Sequence, residues 1–338
     1  MVRLSSAYGE IIMAYSAKVM ARARERLEQE NANKEQAYYA KLEQVYRQIP
    51  RVRQIDTQLH RNMSRAVQVA FGENTDPVAA LSACREENQK LQAERETLIL
   101  QSFGADYLKE PLCPDCDGQG YVGTAMCHCF RDICRQEQMN EIAALGCGSG
   151  KFEDFRLDYY PEMIDRQFGA SPRFIMEQNL KIGRRFAENF SGGNLLMTGG
   201  TGLGKTFLSA CIATKVAMQG YSVAYESAGN LFMKLEKARF TPDEQIISQV
   251  QELQNCDLLI IDDLGTELPG AFVTAALYSL VNDRLLQNKA MVISTNLTTE
   301  EMAQRYNPQI ASRLQGAFQM LPFVGDDIRV LKSRGVIR

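Results

Sequence analysis

The sequence lacks an excess of charge, a long apolar stretch and a secretory leader, and each of these absences argues against one class of protein. Its 338 residues carry 38 basic and 41 acidic side chains, a formal net charge of −3, which argues against a protein that coats nucleic acid through bulk charge. No stretch reaches the roughly 18 apolar residues that a membrane-spanning helix needs. The first residues lack an apolar core followed by a cleavage site. We therefore expect a cytoplasmic protein with no membrane partner.

Histidine is also scarce, with two residues in the chain, and cysteine occurs nine times. Four of the cysteines and one histidine nonetheless fall together in LCPDCDGQGYVGTAMCHCF, residues 112–130. Cytoplasmic thiols stay reduced, so a cysteine cluster there binds metal more often than it forms disulfides. This stretch is therefore a candidate metal site.

The spacing of this cluster, C-x2-C-x10-C-H-C, suits tetrahedral Zn²⁺ bound by Cys113, Cys116, Cys127 and Cys129. Three cysteines with His128 form the alternative ligand set, because adjacent residues rarely both reach one ion. A redox-active C-x2-C pair would need a thioredoxin-like βαβ context, which the sequence does not offer. Four thiolate ligands leave no open position on the metal, so a structural zinc ion is favoured over a catalytic one.

The first part of the chain, residues 1–108, is helical in character. Helices are predicted over Ala17–Gln48, Arg51–Phe71 and Val78–Gln101, separated by Pro50 and by the turn sequence GENTDP. Such a region is either a solvated helical bundle or a partner-binding surface. The following residues, 109–150, are rich in Gly, Cys, Pro and Asp, and we interpret them as a zinc-binding module and linker.

Residues 151–338 alternate apolar strand-like runs with helical segments, which is typical of a parallel α/β sheet covered by helices on both faces. The predicted strands are Asn194–Thr198, Ser222–Tyr225, Asp257–Ile261 and Met291–Thr295.

A phosphate-binding loop follows the first predicted strand in NLLMTGGTGLGKTFLSACIA. Its glycines allow backbone N–H groups to surround phosphates at a helix N-terminus. Lys205 would reach the β- and γ-phosphates, and the Thr206 hydroxyl would bind Mg²⁺. The predicted ATP-binding residues are Gly199, Gly200, Thr201, Gly202, Leu203, Gly204, Lys205, Thr206 and Phe207.

Two aspartates end the apolar strand in CDLLIIDDLGTE. Ligands of α/β proteins bind at the carboxyl ends of the strands. Asp262 would therefore hold Mg²⁺ through water, and Asp263 would polarise the attacking water. The alternative is a pair of solvated turn aspartates, which the long apolar run before them disfavours.

Three further polar residues are candidates for phosphate chemistry. Asn296 follows the strand in MVISTNLT, where it could sense the γ-phosphate, orient the attacking water or act only as a turn residue. Arg313 in ASRL and Arg329 in GDDIR could each stabilise charge on a transferring phosphate, or form surface ion pairs.

In combination, TGGTGLGKT, LLIIDDLGTE, VISTNLT, SRL and GDDIR resemble the AAA+ ATPases of the DnaC/DnaI helicase-loader group, which are related to IstB-type transposition helpers. The resemblance covers about Lys151 to Arg329, and it implies a P-loop AAA+ ATPase domain behind the helical and zinc regions. It assigns Walker A to Gly204, Lys205 and Thr206, and Walker B to Asp262 and Asp263. It also assigns sensor 1 to Asn296, the arginine finger to Arg313 and sensor 2 to Arg329.

The same resemblance implies an ATPase that self-associates and turns over ATP weakly without its partner. The expected partners are a replicative hexameric DNA helicase and single-stranded DNA. The basic and aromatic stretch LFMKLEKARF is a candidate DNA contact, although it also suits an ordinary amphipathic helix. Phe152 and Phe155 in KFEDFRLDYY are expected either near the adenine or in the core.

Two other functions remain open at this point. An IstB-type ATPase would recruit a transposase, and a zinc-stabilised adaptor would use its ATP site only for structure. A zinc-binding region ahead of the ATPase is what a DnaI-like loader would show, whereas IstB-type helpers typically lack one. The cysteine cluster therefore favours the loader.

Overall fold

The computed structural model of the chain describes residues 15–71, 77–109, 111–144, 150–241 and 243–335. They form two units: one is Arg24–Phe130, and the other combines the described residues up to Ala23 with those from Arg131 onward. No helix in these ranges is long and apolar enough to cross a bilayer. The domain boundaries expected near residues 108 and 150 stay a prediction.

Three long helices at the start of the described chain confirm the helical prediction: α1 (Ala17–Gln48), α2 (Pro50–Phe71) and α3 (Pro77–Phe103). α1 and α2 are separate because Pro50 has no N–H to continue a helix, while its fixed φ suits the first position of the next one. Val45, Val52 and Ile99 form a small core in the Arg24–Phe130 unit. In the same unit the Asp56 carboxylate accepts hydrogen bonds from Arg95 Nε at 2.7 Å and from Tyr46 OH at 2.8 Å.

The rest of the chain alternates strands and helices. The strands are β1 (Tyr121–Val122), β2 (Ala125–Met126), β3 (Asn194–Thr198), β4 (Val223–Ser227), β5 (Leu258–Leu264), β6 (Ala290–Thr295) and β7 (Gln319–Pro322). The helices are α4 (His128–Ala144), α5 (Pro172–Glu188), α6 (Lys205–Met218), α7 (Ala228–Phe240), α8 (Glu244–Asn255), α9 (Ala271–Leu286), α10 (Thr299–Arg305), α11 (Pro308–Ala317) and α12 (Ile328–Ser333). Short 3-10 turns cover Phe152–Asp154 and Leu157–Tyr159.

β3 to β7 form a parallel five-stranded sheet in the order β4-β5-β6-β3-β7. Successive strand residues point to opposite faces. Leu195 and Met197 therefore join the core on the α5–α6 side, whereas Leu196 joins the core on the side of α7, α9 and α11. Both faces are thus buried under helices, as a parallel sheet requires, and the predicted α/β fold class is confirmed.

The fifth strand, β7, was not among the predicted strands. It is a short edge strand that pairs only with β3, and of its four residues only Leu321 is buried. A strand with one buried side chain gives no apolar run for sequence reasoning to detect. Its importance lies in its position, because it places the chain that follows beside the loop after β3.

Arg284 on α9 is a buried cation that donates hydrogen bonds to carbonyl groups at the end of α8. It is 1% exposed, and its guanidinium donates to the carbonyls of Leu253 at 2.9 Å, Cys256 at 3.1 Å and Ala290 at 2.7 Å. The last carbonyls of a helix have no partner within the helix. Arg284 therefore joins the C-terminus of α8 to the beginning of β6.

Replacing Arg284 by methionine is expected to lower the free energy of unfolding by about 3 kcal/mol, because several buried carbonyls lose their donors together. Urea denaturation of the full chain measures this change. Arg185→Met, at an exposed arginine in the last turn of α5, is the matched control and should cost no more than about 0.5 kcal/mol. A loss below about 1 kcal/mol for Arg284→Met would contradict the assignment.

Candidate functional site

The loop between β3 and α6 has a backbone that only glycine fits. Gly199, Gly202 and Gly204 have φ values of 135°, 73° and 91°. A Cβ atom on Gly199 would lie 2.2 Å from the Phe323 carbonyl oxygen, and one on Gly202 would lie 2.0 Å from Asp327 Oδ1. The glycines of the phosphate-loop pattern therefore serve both the turn and the close approach of the chain after β7.

Lys205, the first residue of α6, is a buried cation inside this loop. Its side chain is 5% exposed, and its Nζ donates to the carbonyl oxygens of Gly199 and Gly200 at 2.6 Å each. Burial lowers the pKa of the Lys205 ammonium, and the nearby charges of Asp263 and Asp262 act in the opposite direction. The loop thus holds a desolvated positive charge, which suits the binding of an anion.

A cavity of about 490 Å³ opens over the loop, a size within the usual range of small-ligand sites. It is lined by residues 201–207, by Asp263, by side chains between Asp154 and Tyr160, and by Ile328, Arg329 and Lys332. Phe155 and Tyr160 stack with their ring centroids 6.0 Å apart. The Tyr160 hydroxyl donates to the Leu203 carbonyl at 2.8 Å, and burial raises its pKa. An aromatic wall and a cationic loop together fit the two ends of a nucleotide.

Asp262 lies near the end of β5 and has a hydroxyl on each carboxylate oxygen. It is 7% exposed. Ser294 Oγ, on β6, donates to its Oδ1, and Tyr225 OH, on β4, donates to its Oδ2 at 3.0 Å. Charge-assisted hydrogen bonds of this kind offset part of the cost of burying a carboxylate.

Asp263 follows with an unusual backbone. Its φ is +55°, in the left-handed region that Asp tolerates better than most residues. Its N–H donates to Ser294 Oγ at 2.9 Å, and its carbonyl accepts from the Thr266 hydroxyl at 2.8 Å. The carboxylate lines the cavity. Desolvation and the neighbouring charge of Asp262 raise the pKa of Asp263, against the opposing effect of Lys205 and Arg329.

The predicted residues divide by position. Thr201, Gly202, Leu203, Gly204, Lys205, Thr206, Phe207, Asp263 and Arg329 all line the cavity. The carbonyl oxygens of Gly199 and Gly200 accept hydrogen bonds from Lys205, and Asp262 is the buried neighbour of Asp263. Asn296 is exposed just after β6, its Oδ1 3.4 Å from where a Cβ of Gly265 would lie, and it is not among the cavity-lining residues of the described chain. Arg313 is not among them either.

Arg313 on α11 is held by α9 instead. Its guanidinium carbon lies 4.9 Å from the centroid of the Tyr278 ring, and Nη2 donates to the Tyr278 hydroxyl at 3.0 Å. Nη1 donates to Asn282 Oδ1. The side chain is half-buried and is held by these contacts with α9.

Sequence reasoning missed four contributors to the site: Tyr160, Tyr225, Ser294 and Lys332. Tyr160 lies in KFEDFRLDYY, Tyr225 ends the predicted strand Ser222–Tyr225 and Ser294 lies in MVISTNLT, but their residue types indicate no role. Tyr225 and Ser294 act only because β4 and β6 flank β5 in space. Both phenylalanines expected near the adenine or in the core, Phe152 and Phe155, join the core cluster, and Phe155 also lines the cavity.

The helix α7 carries the basic and aromatic stretch. Phe232 is buried and Lys234 pairs with Glu226. Phe240 is 69% exposed, and the Arg239 guanidinium lies 5.5 Å from its ring and 5.6 Å from the Phe272 ring. An exposed ring beside a stacked arginine therefore remains at the end of the helix.

The cysteine cluster lies in the Arg24–Phe130 unit. The sulfur atoms of Cys113, Cys116, Cys127 and Cys129 all lie within 4.8 Å of one another, and none of these residues forms a disulfide. The Sγ–Sγ distances are 3.7 Å for Cys113–Cys127 and 3.4 Å for Cys116–Cys129. Tetrahedral zinc with Zn–S bonds near 2.3 Å would place its sulfurs about 3.8 Å apart. The donor set and its spacing therefore fit zinc.

A β1–β2 hairpin brings the two cysteine pairs together. The Gly120 N–H donates to Cys116 Sγ at 3.2 Å, and the Cys127 N–H donates to the Gly120 carbonyl at 2.9 Å. His128 lies at the edge of the cluster, where Nδ1 is 3.6 Å from Cys127 Sγ and 3.2 Å from Asp115 Oδ2. Its side chain is 61% exposed, so the four sulfurs form the more enclosed set.

Comparison with known proteins finds two kinds of relatives, helicase loaders and ATP-binding proteins of insertion sequences. A family model of IstB-like ATP binding proteins matches residues 128–316. The chain is 26% identical over 142 residues to the replicative helicase loader DnaC of Escherichia coli (strain K12), covering 40% of this chain and 56% of that loader. It is 28% identical over 155 residues to an insertion-sequence ATP-binding protein of Pseudomonas fluorescens, covering 46% of this chain and 61% of that protein. A crystal structure of the DnaC helicase loader aligns with a TM-score of 0.43 and 19% identity, over 51% of this chain and 98% of that one. In the sequence alignment with the Escherichia coli loader, the chain spans little more than half of that protein's length.

Proposed function

The chain belongs to the family of IstB-like ATP binding proteins, and from this premise we propose that it is an ATP-dependent loader of a replicative hexameric DNA helicase. In this proposal the helical region, residues 1–108, and the zinc module, residues 109–150, bind the helicase. The AAA+ domain, residues 151–338, binds ATP with Mg²⁺, contacts single-stranded DNA and uses hydrolysis to time release.

The ATPase part of the proposal rests on three features that border one cavity. The glycine loop with buried Lys205, the acidic end of β5 and the α12 cations all border the same space of about 490 Å³. The positive φ values of Gly199, Gly202 and Gly204 give the loop a turn of the kind whose backbone N–H groups bind phosphate.

Each residue then has a role that its position supports. Lys205 binds the phosphates, and Thr206 and Asp262 hold the magnesium ion. Asp263 lines the cavity and orients the attacking water. When bound there, Mg²⁺ would supply positive charge that offsets the charge of the phosphates. Arg329 and Lys332 add positive charge from α12. Phe155, backed by the buried ring of Tyr160, borders the space that the base would take.

Arg313 acts on a neighbouring subunit in this proposal. It is fixed by Tyr278 and Asn282 rather than turned into its own cavity. An arginine supplied in trans stabilises the charge of the phosphoryl-transfer transition state. An isolated subunit should therefore hydrolyse ATP weakly, and self-association should activate it.

Single-stranded DNA would contact the end of α7. Exposed Phe240 and the stacked Arg239 combine the flat apolar surface and the positive charge that bases and phosphates need. Phe232 and Lys234 are already engaged within the protein, so they are not part of this surface.

Zinc would be held by the four cysteines, Cys113, Cys116, Cys127 and Cys129. The burial of the sulfurs supports this set over one that includes His128, whose side chain is exposed. The ion would order a segment that is too short to have a core of its own.

A transposase helper is the second candidate, because one relative is named as an insertion-sequence ATP-binding protein. The cysteine cluster favours the loader. A zinc-stabilised adaptor with a non-catalytic ATP site is the third alternative.

The proposal is tested with the full-length chain, the replicative helicase of its host cell and single-stranded DNA. We expect co-sedimentation with the helicase and an ATP turnover that rises by about tenfold or more when helicase and DNA are both added. Lys205→Ala gives the turnover background, and Lys215→Ala, in the last turn of the same helix, is the matched control. Binding to a transposase but not to the helicase would favour the helper, and turnover that stays at background under all conditions would favour the adaptor.

A further inference from the structure

β5 is flanked by two strands that each send one hydroxyl to the same carboxylate. β4 pairs with β5 so that Ser227 lies opposite Asp262 and Tyr225 opposite Ile260. β6 pairs with the other side, with Ile293 opposite Ile261. Side chains alternate between the two faces of a strand, so Tyr225 lies on the same face of the sheet as Asp262. Ser294 follows Ile293 on β6 and therefore lies beside Asp262 at the other edge of β5.

The hydrogen bonds follow from this register. Ser294 is fully buried. Its single hydroxyl donates to Asp262 Oδ1 and accepts from the Asp263 N–H at 2.9 Å. It therefore ties the side chain of one aspartate to the backbone of the next, at the point where Asp263 adopts its φ of +55°.

Tyr225 completes the arrangement from the side of the phosphate loop. Its hydroxyl donates to Asp262 Oδ2 at 3.0 Å and lies 3.5 Å from the Thr206 carbonyl oxygen. Thr206 and Asp262 are the two residues to which the proposed function gives magnesium. The Tyr225 oxygen thus lies between the two metal-binding residues and contacts both.

We infer that Ser294 and Tyr225 are positioning residues that orient Asp262 for a magnesium–nucleotide complex, and that Ser294 also sets the backbone of Asp263. This inference rests on the proposed ATPase site. Hydrogen-bond partners of a metal-binding carboxylate fix its direction, and their loss weakens metal binding by about 10- to 100-fold.

The test measures how much Mg²⁺ the full-length protein needs to bind a fluorescent ATP analogue. Ser294→Ala and Tyr225→Phe are each expected to raise the half-saturating Mg²⁺ concentration by about tenfold. Their affinity for the analogue in excess EDTA should stay within about twofold of the wild type, because Lys205 and the loop are untouched. Ser294→Thr keeps the hydroxyl and should restore the wild-type requirement.

Ser209→Ala is the matched control, since this buried serine of α6 contacts only the Met197 sulfur, at 3.7 Å, among the hydrogen bonds of the described chain. Tyr225→Phe removes one oxygen atom and carries the test when Ser294→Ala does not fold. An unchanged Mg²⁺ requirement in the folded variants would overturn the inference. A parallel loss of affinity in EDTA would also overturn it, because it would indicate a general structural role. If the wild type binds the analogue neither with Mg²⁺ nor without it, the proposed ATP site itself is wrong.

Discussion

Arg313→Ala is expected to bind ATP with the affinity of the wild type and to lose about 10³-fold of its partner-stimulated turnover. The magnitude follows from the contribution that an arginine finger makes to phosphoryl transfer. Binding should survive because Arg313 is not among the cavity-lining residues of the described chain. Equilibrium binding of an ATP analogue and steady-state phosphate release, each with helicase and single-stranded DNA present, measure the two quantities separately.

A subunit-mixing experiment distinguishes action in trans from a structural effect. Lys205→Ala subunits have no functional loop but retain Arg313, whereas Arg313→Ala subunits have the opposite defect. If the arginine completes a neighbour's site, the mixture should recover turnover that neither variant shows alone. Gln315→Ala, an exposed residue on the same helix α11, should behave as the wild type. Full turnover in Arg313→Ala, or no recovery in the mixture, would contradict the trans role.

Removing one cysteine of the cluster is expected to have the largest effect on structure. Cys116→Ser should reduce bound zinc from about one ion per chain to near none, since a structural site needs four ligands. Zinc binding of about 10–16 kcal/mol is available to order such a small segment. Residues 112–130 should then lose protection from hydrogen exchange, while ATP binding by the loop of the other unit is retained. Metal analysis by mass spectrometry and peptide-resolved exchange measure both.

Two controls sharpen the zinc test. Cys84→Ser changes a cysteine outside the cluster and should leave the zinc content unaltered. His128→Ala should keep zinc if the four sulfurs bind it, whereas Cys129→Ser should lose it. The reverse result would replace Cys129 by His128 in the ligand set. Zinc retained in Cys116→Ser would refute both sets.

The sequence predicts the fold wherever apolar period and turn chemistry are strong. The bounds of α1 and β3 agree with the pattern, because a run without Gly or Pro and a buried apolar strand both leave clear limits. The edge strand β7 escapes prediction because only Leu321 is buried on it. The loop spacing likewise predicts where Lys205 lies.

What the sequence could not predict is which residues the strand order brings together. Ser294 is 32 residues from Asp262 and Tyr225 is 37 residues away, and nothing local marks either hydroxyl. The close approach of Asp327 to Gly202 also depends on β7 lying beside β3. Phe152 and Phe155 have the same type and similar neighbours and both are buried in the core, so only the packing shows that Phe155 also reaches the cavity.

The two parts of the molecule complete their structures at different times during synthesis. The Arg24–Phe130 unit is one uninterrupted segment, so all its contacts can form once Phe130 has left the ribosome. The cavity draws on residues from Asp154 to Lys332, and its sheet pairs β3 with strands that follow about 100 and 125 residues later. N-terminal units fold first as a chain emerges. A nascent chain therefore has its cysteine cluster assembled well before its phosphate-loop cavity is complete, and a partner that recognises Arg24–Phe130 would meet this unit first.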